Sequence, residues 1–154
     1  MRIREIQTPD RAEWLRLLQD FYAGSVESDH APSVDAYLAG SGGRSLLPSA
    51  VFVAERAGTG LCGFLELSVR NYAEGCLGAT PYIESWYVDP DVRGSGIGRQ
   101  LVGAAEGWAQ AHGFSELASD AELGNTLSQA IHLAVGFSEV ERIAVFRKKL
   151  KAIG

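Results

Sequence analysis

Residues Pro81–Leu101 read PYIESWYVDPDVRGSGIGRQL, and the order of residue types predicts a strand, a glycine-rich loop and the start of a helix. The β-forming run Tyr82–Val88 ends at an Asp-Pro pair, and the loop Arg93–Gly98 leads directly into the amphipathic run Arg99–His112. Glycines let a backbone approach a ligand closely, and the N-terminus of the next helix offers free N–H groups and a positive dipole end to an anion. The arginines that open the loop and the helix add cationic donors, so the stretch predicts a phosphate-binding loop.

The spacing of the glycines narrows the class of phosphate ligand. A dinucleotide-binding fingerprint needs a third glycine where this chain has Arg99, and a P-loop needs a Gly-Lys pair, which the sequence lacks. What remains is Arg-x-x-Gly-x-Gly after an aromatic strand, which resembles the pyrophosphate-binding motif of the GNAT superfamily of N-acetyltransferases. That resemblance implies acetyl-coenzyme A as the ligand. From the glycines alone, a plain turn that caps a helix stays open as the alternative.

The composition is that of one ordinary domain with an adequate apolar core. The chain has 154 residues, 46% of them hydrophobic, and we expect a single domain over residues 1–154. Its net charge of −5 argues against a nucleic-acid partner and is compatible with a cationic substrate. The two cysteines, Cys62 and Cys76, lack metal-binding spacing, so we expect no metal and two reduced thiols in the cytoplasm. Neither a signal peptide nor a membrane-spanning run is predicted, so no membrane partner is expected.

Periodicity and chain breakers predict the element order β-α-α-β-β-β-α-β-α, followed by a long strand or a bent pair of strands. This order matches the GNAT architecture over about Ile3 to Leu150. The resemblance implies an α/β (α+β) fold class, the GNAT fold, with a central mixed, mostly antiparallel sheet flanked by about four helices. The pattern includes a short helix from Ser33 to Leu38, a break at Gly40–Gly43, a strand at Phe114–Ser119, a helix at Asn125–Val135 and the final strand or pair at Phe137–Arg147.

Two acidic residues stand at positions that suggest a ligand cleft. Glu84 lies inside the aromatic strand, where regular alternation would put it on one face with Tyr82 and Trp86. A carboxylate there is costly unless it is paired or faces a wet cleft, although an ordinary solvent-facing glutamate stays open. Asp120 follows the predicted strand Phe114–Ser119, and the C-terminal ends of strands line the ligand crevice of open α/β sheets. Capping of the next segment is its alternative role.

A second set of segments makes the resemblance more specific. Leu117–Glu122, Asn125–Gln129 and Gly136–Arg142, together with Arg70–Tyr72 ahead of the aromatic strand, look like the corresponding segments of the aminoglycoside 6′-N-acetyltransferases of the small dimeric GNAT subgroup. These matches are spread over much of the chain, so they are more specific than the glycine loop alone.

The subgroup resemblance implies roles for individual residues. Glu84 and Asp120 line an antibiotic pocket that Tyr22 and Tyr72 wall, and Asp120 is the favoured general base, with Glu84 or water as alternatives. His132 stands where many GNAT enzymes have the tyrosine that protonates the leaving thiolate. Histidine can donate a proton near neutral pH, and simple packing of its helix is the alternative. The residues implied to bind the coenzyme are Trp86, Tyr87, Val88, Arg93, Gly94, Ser95, Gly96, Ile97, Gly98, Arg99, Asn125 and Ser128.

The implied function is acetyl transfer from acetyl-coenzyme A to the 6′-amine of aminoglycoside antibiotics, with resistance as its consequence. Acidic walls suit such a polycation. The resemblance also implies a homodimer, with Phe137–Arg147 as the candidate interface. Other functions stay open: a GNAT enzyme acting on a polyamine or a peptide N-terminus, a non-catalytic acyl-coenzyme A-binding module that would tolerate loss of Glu84 and Asp120, and a structural domain whose loop binds nothing.

Overall fold

The computed structural model describes residues 1–40 and 48–153 of the chain. Four antiparallel strands form one sheet in the order β1-β2-β3-β4, with the bounds Arg2–Glu5 (β1), Ala50–Glu55 (β2), Leu61–Arg70 (β3) and Thr80–Val88 (β4). The α-helices of the described residues are α1 (Arg11–Phe21), α2 (Glu27–Leu38), α3 (Ile97–Ala111) and α4 (Thr126–Ala134). The predicted fold class is therefore confirmed. Within residues 1–40 and 48–153, no helix combines the length and the apolar character needed to cross a membrane.

Helices cover both faces of the sheet, which explains why its strands are apolar on both sides. On one face Phe52 and Leu65 pack with Leu101 of α3, and on the other face Val53 packs with Trp14 of α1. Consecutive residues of β2 thus serve opposite cores, because strand side chains alternate between the two faces. We call these the α3 face and the α1 face of the sheet.

β4 contains one irregularity, and it lies at Glu84. Leu67 of β3 pairs with Ile83, whereas the preceding residue Glu66 pairs with Ser85. Glu84 is therefore the extra residue of a β-bulge, a feature that bends a strand and often re-aims a side chain next to an active site.

The bulge changes which side chains of β4 share a face. Tyr82 and Ser85 lie on the α1 face, because they pair with Ser68 and Glu66, whose side chains alternate onto that face. Trp86 instead packs with the apolar cluster on the α3 face. The predicted common face of Tyr82, Glu84 and Trp86 is therefore wrong for Trp86, because the bulge interrupts the alternation on which the prediction rested.

The segment that follows α3 runs parallel to β4 but pairs with it at a single residue. Ala118 N–H donates to the Pro81 carbonyl, and the Ala118 carbonyl accepts from Ile83 N–H, both at 2.9 Å. Among the described residues this bridge is the one parallel contact with the sheet, and it adds no strand to it. The predicted strand Phe114–Ser119 is therefore wrong, because β4 bends away at the bulge. Among the described residues the two segments make no further backbone hydrogen bonds, and we call the opening between residues 84–88 and residues 119–120 the fork.

Three other predicted segments have different outcomes. The second helix begins at Glu27 rather than at Ser33, because the Asp29 carboxylate accepts the backbone N–H that precedes the helix and caps it earlier. The break predicted at Gly40–Gly43 lies outside the described residues beyond its first glycine. The helix predicted at Asn125–Val135 is confirmed as α4.

The C-terminal segment, residues 137–153, forms neither helix nor strand. The predicted strand or bent pair at Phe137–Arg147 is therefore wrong for the single chain. Extended backbone becomes a strand only where a neighbouring strand satisfies its N–H and C=O groups. The apolar side chains of the segment are exposed instead, among them Val140, Ile143, Val145, Phe146 and Leu150.

Candidate active site

The glycine loop enters α3 in the geometry of an anion site. Gly94 and Gly96 have φ angles of +79° and +88°, a left-handed backbone that residues with a side chain rarely adopt, and Gly96 is the N-cap of α3. Among the described residues no side chain caps this end of the helix. The N–H groups of the first turn lack intrahelical acceptors, so an anion is their natural partner.

The first turn of α3 lies directly against β4. A Cβ atom at Gly98 would lie 3.3 Å from Cζ2 of Trp86, so glycine permits this close approach of helix and strand. Arg93 Nε donates to the Val88 carbonyl at 2.8 Å, and the guanidinium lies 5.5 Å from the centre of the Tyr87 ring. The structure thus brings the glycine loop and the last three residues of β4 together, as the coenzyme-binding prediction requires.

Arg99 is turned away from the glycine loop. Its Nη2 donates at 2.7 Å to the carbonyl of Ala134, at the C-terminal end of α4. A cation is favourable there because the last carbonyls form the negative end of the helix dipole. Arg99 therefore ties α3 to α4 in this structure, and its contact with the coenzyme stays a prediction.

Asn125 and Ser128, the other predicted coenzyme contacts, meet at the N-terminus of α4. Asn125 Oδ1 accepts the Ser128 backbone N–H at 3.0 Å, which is an N-cap hydrogen bond. The cap uses the oxygen of the Asn125 amide, so its NH₂ group is the part that can donate to a ligand.

Glu84 forms a bidentate ion pair on the α1 face. Arg70 Nε and Nη2 donate to its two carboxylate oxygens at 2.9 and 2.8 Å. The same guanidinium stacks over the ring of Tyr82, 3.5 Å from its centre. Arg70 therefore offsets the charge of Glu84, one of the two carboxylates that the sequence prediction places along the pocket.

Asp120 lies beside this pair and is held by Tyr82. The Tyr82 hydroxyl donates to Asp120 Oδ2 at 2.7 Å. Burial and this hydrogen bond raise the pKa of Tyr82, so the phenol stays neutral and remains a donor. We call Glu84, Arg70, Tyr82 and Asp120 the acidic cluster; it joins the two predicted catalytic carboxylates on one side of the fork.

The two tyrosines predicted to wall the pocket are both exposed. Tyr22 is 44% exposed; its hydroxyl lies 3.1 Å from Ser85 Oγ, next to the bulge, and its ring stacks on His30. Tyr72 is 65% exposed in the loop that follows β3, two residues after Arg70. Tyr22 thus contacts the site through Ser85. Tyr72 is placed near the site only by its closeness to Arg70 in the sequence.

Glu66 is a third carboxyl on this face, and the sequence prediction omitted it. Its Oε1 accepts the Trp14 indole N–H at 3.0 Å. Burial raises the pKa of Glu66 to about 7, and the charge of Glu84 adds to the rise. A signal was present in the sequence, because Glu66 interrupts an apolar strand in the same way as Glu84.

His132 lies at the other face of the sheet with both ring nitrogens engaged. Its Nε2 lies 2.7 Å from Ser119 Oγ, and its Nδ1 lies 2.7 Å from the Ser128 carbonyl oxygen. The ring meets Trp86 edge-on, with the ring centres 5.3 Å apart. His132 is therefore packed, with the Ser119 hydroxyl as the hydrogen-bond partner of its Nε2.

Sequence comparison with known proteins finds acetyltransferases. Residues 11–137 match the family model described as the acetyltransferase (GNAT) family. The chain is 40% identical over 149 residues to an aminoglycoside N(6′)-acetyltransferase type 1 of Klebsiella aerogenes, covering 96% of each protein. It is 34% identical to one of Stenotrophomonas maltophilia, covering 97% of this chain and 94% of the relative.

Comparison with solved structures also finds aminoglycoside acetyltransferases. AAC(6′)-Iy in complex with the bisubstrate analogue CoA-S-monomethyl-acetylneamine superposes with a TM-score of 0.85 and 30% identity, over 97% of this chain and 98% of that one. The apo 6′-N-acetyltransferase AAC(6′)-IG from Acinetobacter haemolyticus gives a TM-score of 0.84 and 29% identity, over 98% and 100%. The similarity therefore spans nearly the whole length of each protein.

Proposed function

This chain belongs to the acetyltransferase (GNAT) family, and we propose from that premise that it transfers the acetyl group of acetyl-coenzyme A to the 6′-amine of aminoglycosides, which confers resistance. The observation that carries the proposal is the acidic cluster at the fork, on the sheet face opposite the glycine loop. A polycation fits beside these carboxylates, and an anionic coenzyme fits the uncapped end of α3. The aminoglycoside acetyltransferases among its relatives support the choice of polycation.

The coenzyme supplies the acetyl thioester, and the chain supplies its anchoring. Backbone N–H groups of the first turn of α3, with Arg93 beside them, bind the pyrophosphate. The Asn125 amide and the Ser128 hydroxyl provide further polar contacts from α4. Backbone N–H groups on the open edge of Trp86–Val88 polarise the thioester carbonyl, which stabilises the charge that develops on its oxygen. Binding both substrates at one fork holds the amine close to the thioester, and this proximity supplies a large part of the rate enhancement.

Asp120 takes the proton of the attacking amine, directly or through a water molecule. Both carboxylates of the acidic cluster are acceptors, but Glu84 already receives two hydrogen bonds from Arg70. Asp120 receives one, from Tyr82, and its other oxygen can accept a proton. We therefore assign Asp120 as the general base and Glu84, with Tyr22 and Tyr72, as substrate-binding residues.

A thiol-release assay across a panel of amines tests the function. We expect turnover with kanamycin and tobramycin, which carry a 6′-amine, and no turnover with an analogue that carries a 6′-hydroxyl. Spermidine and a basic peptide serve as competing polyamine and peptide acceptors. If spermidine or the peptide turns over faster than kanamycin, the substrate is a polyamine or a peptide rather than an aminoglycoside, and the chain is still an N-acetyltransferase.

We also propose that the chain works as a homodimer through its C-terminal segment, and that it acts in the cytoplasm, where free thiols such as Cys62 and Cys76 persist. Exposed apolar side chains along residues 140–150 resemble an interface rather than a monomer surface. Residues 114–117 make no backbone hydrogen bonds to β4 among the described residues, and they border a cavity of about 260 Å³ that is lined in part by Phe114, Leu117 and Phe137. An extended segment of a second copy would pair with the backbone of residues 114–117 by strand addition.

Light scattering at micromolar concentration should show a dimer. Phe146 is 92% exposed, and a Phe146→Asp variant should be monomeric because the new charge would be buried in the interface. Val26 is 55% exposed just before α2, away from both the segment and residues 114–117, so Val26→Asp should stay dimeric as the matched control. A monomeric parent would refute the dimer, and a dimeric Phe146→Asp variant would move the interface elsewhere.

A further inference from the structure

The hydrogen bonds of His132 define which of its nitrogens can move a proton. A backbone carbonyl only accepts, so the 2.7 Å contact between Nδ1 and the Ser128 oxygen requires that Nδ1 carry a hydrogen. In the neutral ring Nε2 is then an acceptor, and the Ser119 hydroxyl donates to it at 2.7 Å. When Nε2 is also protonated it becomes the donor, and the Ser119 hydroxyl hydrogen is released to point elsewhere.

Ser119 and Asp120 are consecutive residues on opposite faces of the sheet. Asp120 reaches the Tyr82 hydroxyl on the α1 face. Ser119 reaches His132 on α4, whose ring contacts Trp86 on the α3 face. The two side chains therefore bracket the fork, with a carboxylate on one side and a hydroxyl–imidazole pair on the other.

The positions of the two substrates place the sulfur atom on the Ser119 side. The coenzyme's phosphates belong at the N-terminus of α3, which packs on Trp86 at the α3 face. The cationic amine belongs at the acidic cluster on the α1 face. The acetyl group must meet the amine within the fork, so the sulfur that joins it to the coenzyme lies toward the α3 face.

We propose that Ser119 is a further catalytic residue, which donates a proton to the leaving thiolate of coenzyme A, and that His132 is the positioning residue that supplies this proton through its Nε2. The proposal rests on the acetyl-transfer function proposed above. It revises the role of His132: the imidazole acts through Ser119 and does not touch the sulfur.

The bonds and protons of this step balance. The amine nitrogen bonds to the carbonyl carbon and gives its proton to Asp120, and the carbon–sulfur bond breaks with its electron pair on sulfur. Sulfur takes the hydroxyl proton of Ser119, and Ser119 takes the Nε2 proton of the imidazolium of His132. The ring is left neutral with its proton on Nδ1. Solvent then removes the proton from Asp120 and returns one to His132.

The first test measures single-turnover acetyl transfer in variants of the two residues. Ser119→Ala should slow transfer about 30-fold, below the ~10²–10⁴-fold typical of general acids and bases, because a thiolate leaves with little help. Ser119→Thr keeps the hydroxyl and should recover most of the rate. His132→Phe should cost about as much as Ser119→Ala, and the double variant no more than either, because the pair acts as a unit. KM for both substrates should be unchanged throughout.

A second readout does not depend on activity. Nitrogen-15 shifts of the His132 ring should show Nδ1 protonated, and Ser119→Ala should shift only the Nε2 resonance of the neutral ring. Ser33→Ala, an exposed serine of α2, is the matched control for both measurements and should change neither. Calorimetric binding of acetyl-coenzyme A should be the same in all variants.

Opposite results overturn the proposal. A transfer rate for Ser119→Ala within twofold of the parent, or a ring protonated on Nε2 alone, would remove Ser119 from the mechanism. Additive losses in the double variant would separate the two residues. If the parent acetylates no aminoglycoside, the proposed function fails instead, and slow hydrolysis of acetyl-coenzyme A by the parent and by Ser119→Ala still decides the role of Ser119, since the same thiolate leaves.

Discussion

An Asp120→Asn variant should lose about 10³-fold in kcat, within the ~10²–10⁴-fold range for loss of a general base. The amide oxygen can still accept the Tyr82 hydroxyl that now binds Asp120 Oδ2 at 2.7 Å, so the cluster keeps its geometry. What the variant loses is the proton acceptor and one negative charge. Steady-state kinetics with kanamycin should therefore show a large fall in kcat, a modest rise in KM for kanamycin, and no change in coenzyme binding.

Two comparisons make the Asp120 result interpretable. Glu84→Gln should act mainly on KM for kanamycin, because without the carboxylate the charge of Arg70 is no longer offset and would repel the cationic substrate. Asp35→Asn, the same chemical change in an exposed ion pair with Arg11, should leave both constants unchanged. A larger fall in kcat for Glu84→Gln than for Asp120→Asn would move the general base to Glu84.

A Gly96→Val variant should lose coenzyme binding. Gly96 has a φ of +88°, which a β-branched residue does not adopt without strain, so the loop and the first turn of α3 must shift. Losing two hydrogen bonds to a charged phosphate costs ~1.5–3 kcal/mol each, which weakens binding by about 100-fold or more. Calorimetric titration with acetyl-coenzyme A measures this directly.

Gly113→Val is the matched control for Gly96→Val. Gly113 has a φ of +81° just beyond the C-terminal end of α3, so the substitution imposes a similar backbone strain away from the loop. Its melting temperature should fall as for Gly96→Val, while its affinity for acetyl-coenzyme A should match the parent. Equal affinities for Gly96→Val and the parent would show that the glycine loop does not bind the coenzyme.

The glycine loop and the element order could be predicted from the sequence because their signals are local. Arg93–Gly98 places turn residues, cationic donors and a helix start within a few consecutive residues, and each has a direct physical consequence. The helix at Asn125–Val135 was predictable for the same reason, since its cap and its periodicity lie within the segment itself.

The arrangement of the acidic cluster could not be predicted, because it depends on the register between strands. The bulge at Glu84 appears only in the pairing of β3 with β4, and it puts Trp86 on the face opposite Tyr82. Arg70 reaches Glu84 across the two strands, fourteen residues apart in the chain, and so neutralises a charge that the sequence left unpaired. Only the folded sheet shows that the acidic pocket contains its own cation.

The C-terminal segment shows a different limit of sequence prediction. Its alternating apolar residues predict a strand, but within the described residues of one chain the segment pairs with no strand. Val145 and Phe146 therefore stay exposed. A periodic pattern specifies which face a segment can bury and does not specify which chain covers that face.

The position of the acetyl group in the product tests the proposed function most directly. Kanamycin incubated with the chain and acetyl-coenzyme A should gain one acetyl group by mass spectrometry, and two-dimensional NMR should place it on the 6′-nitrogen. This product is expected if the acidic cluster binds the 6′-amine of kanamycin and Asp120 takes its proton. An acetyl group on any other nitrogen, or kanamycin recovered unchanged while spermidine or a peptide is acetylated, would contradict the account.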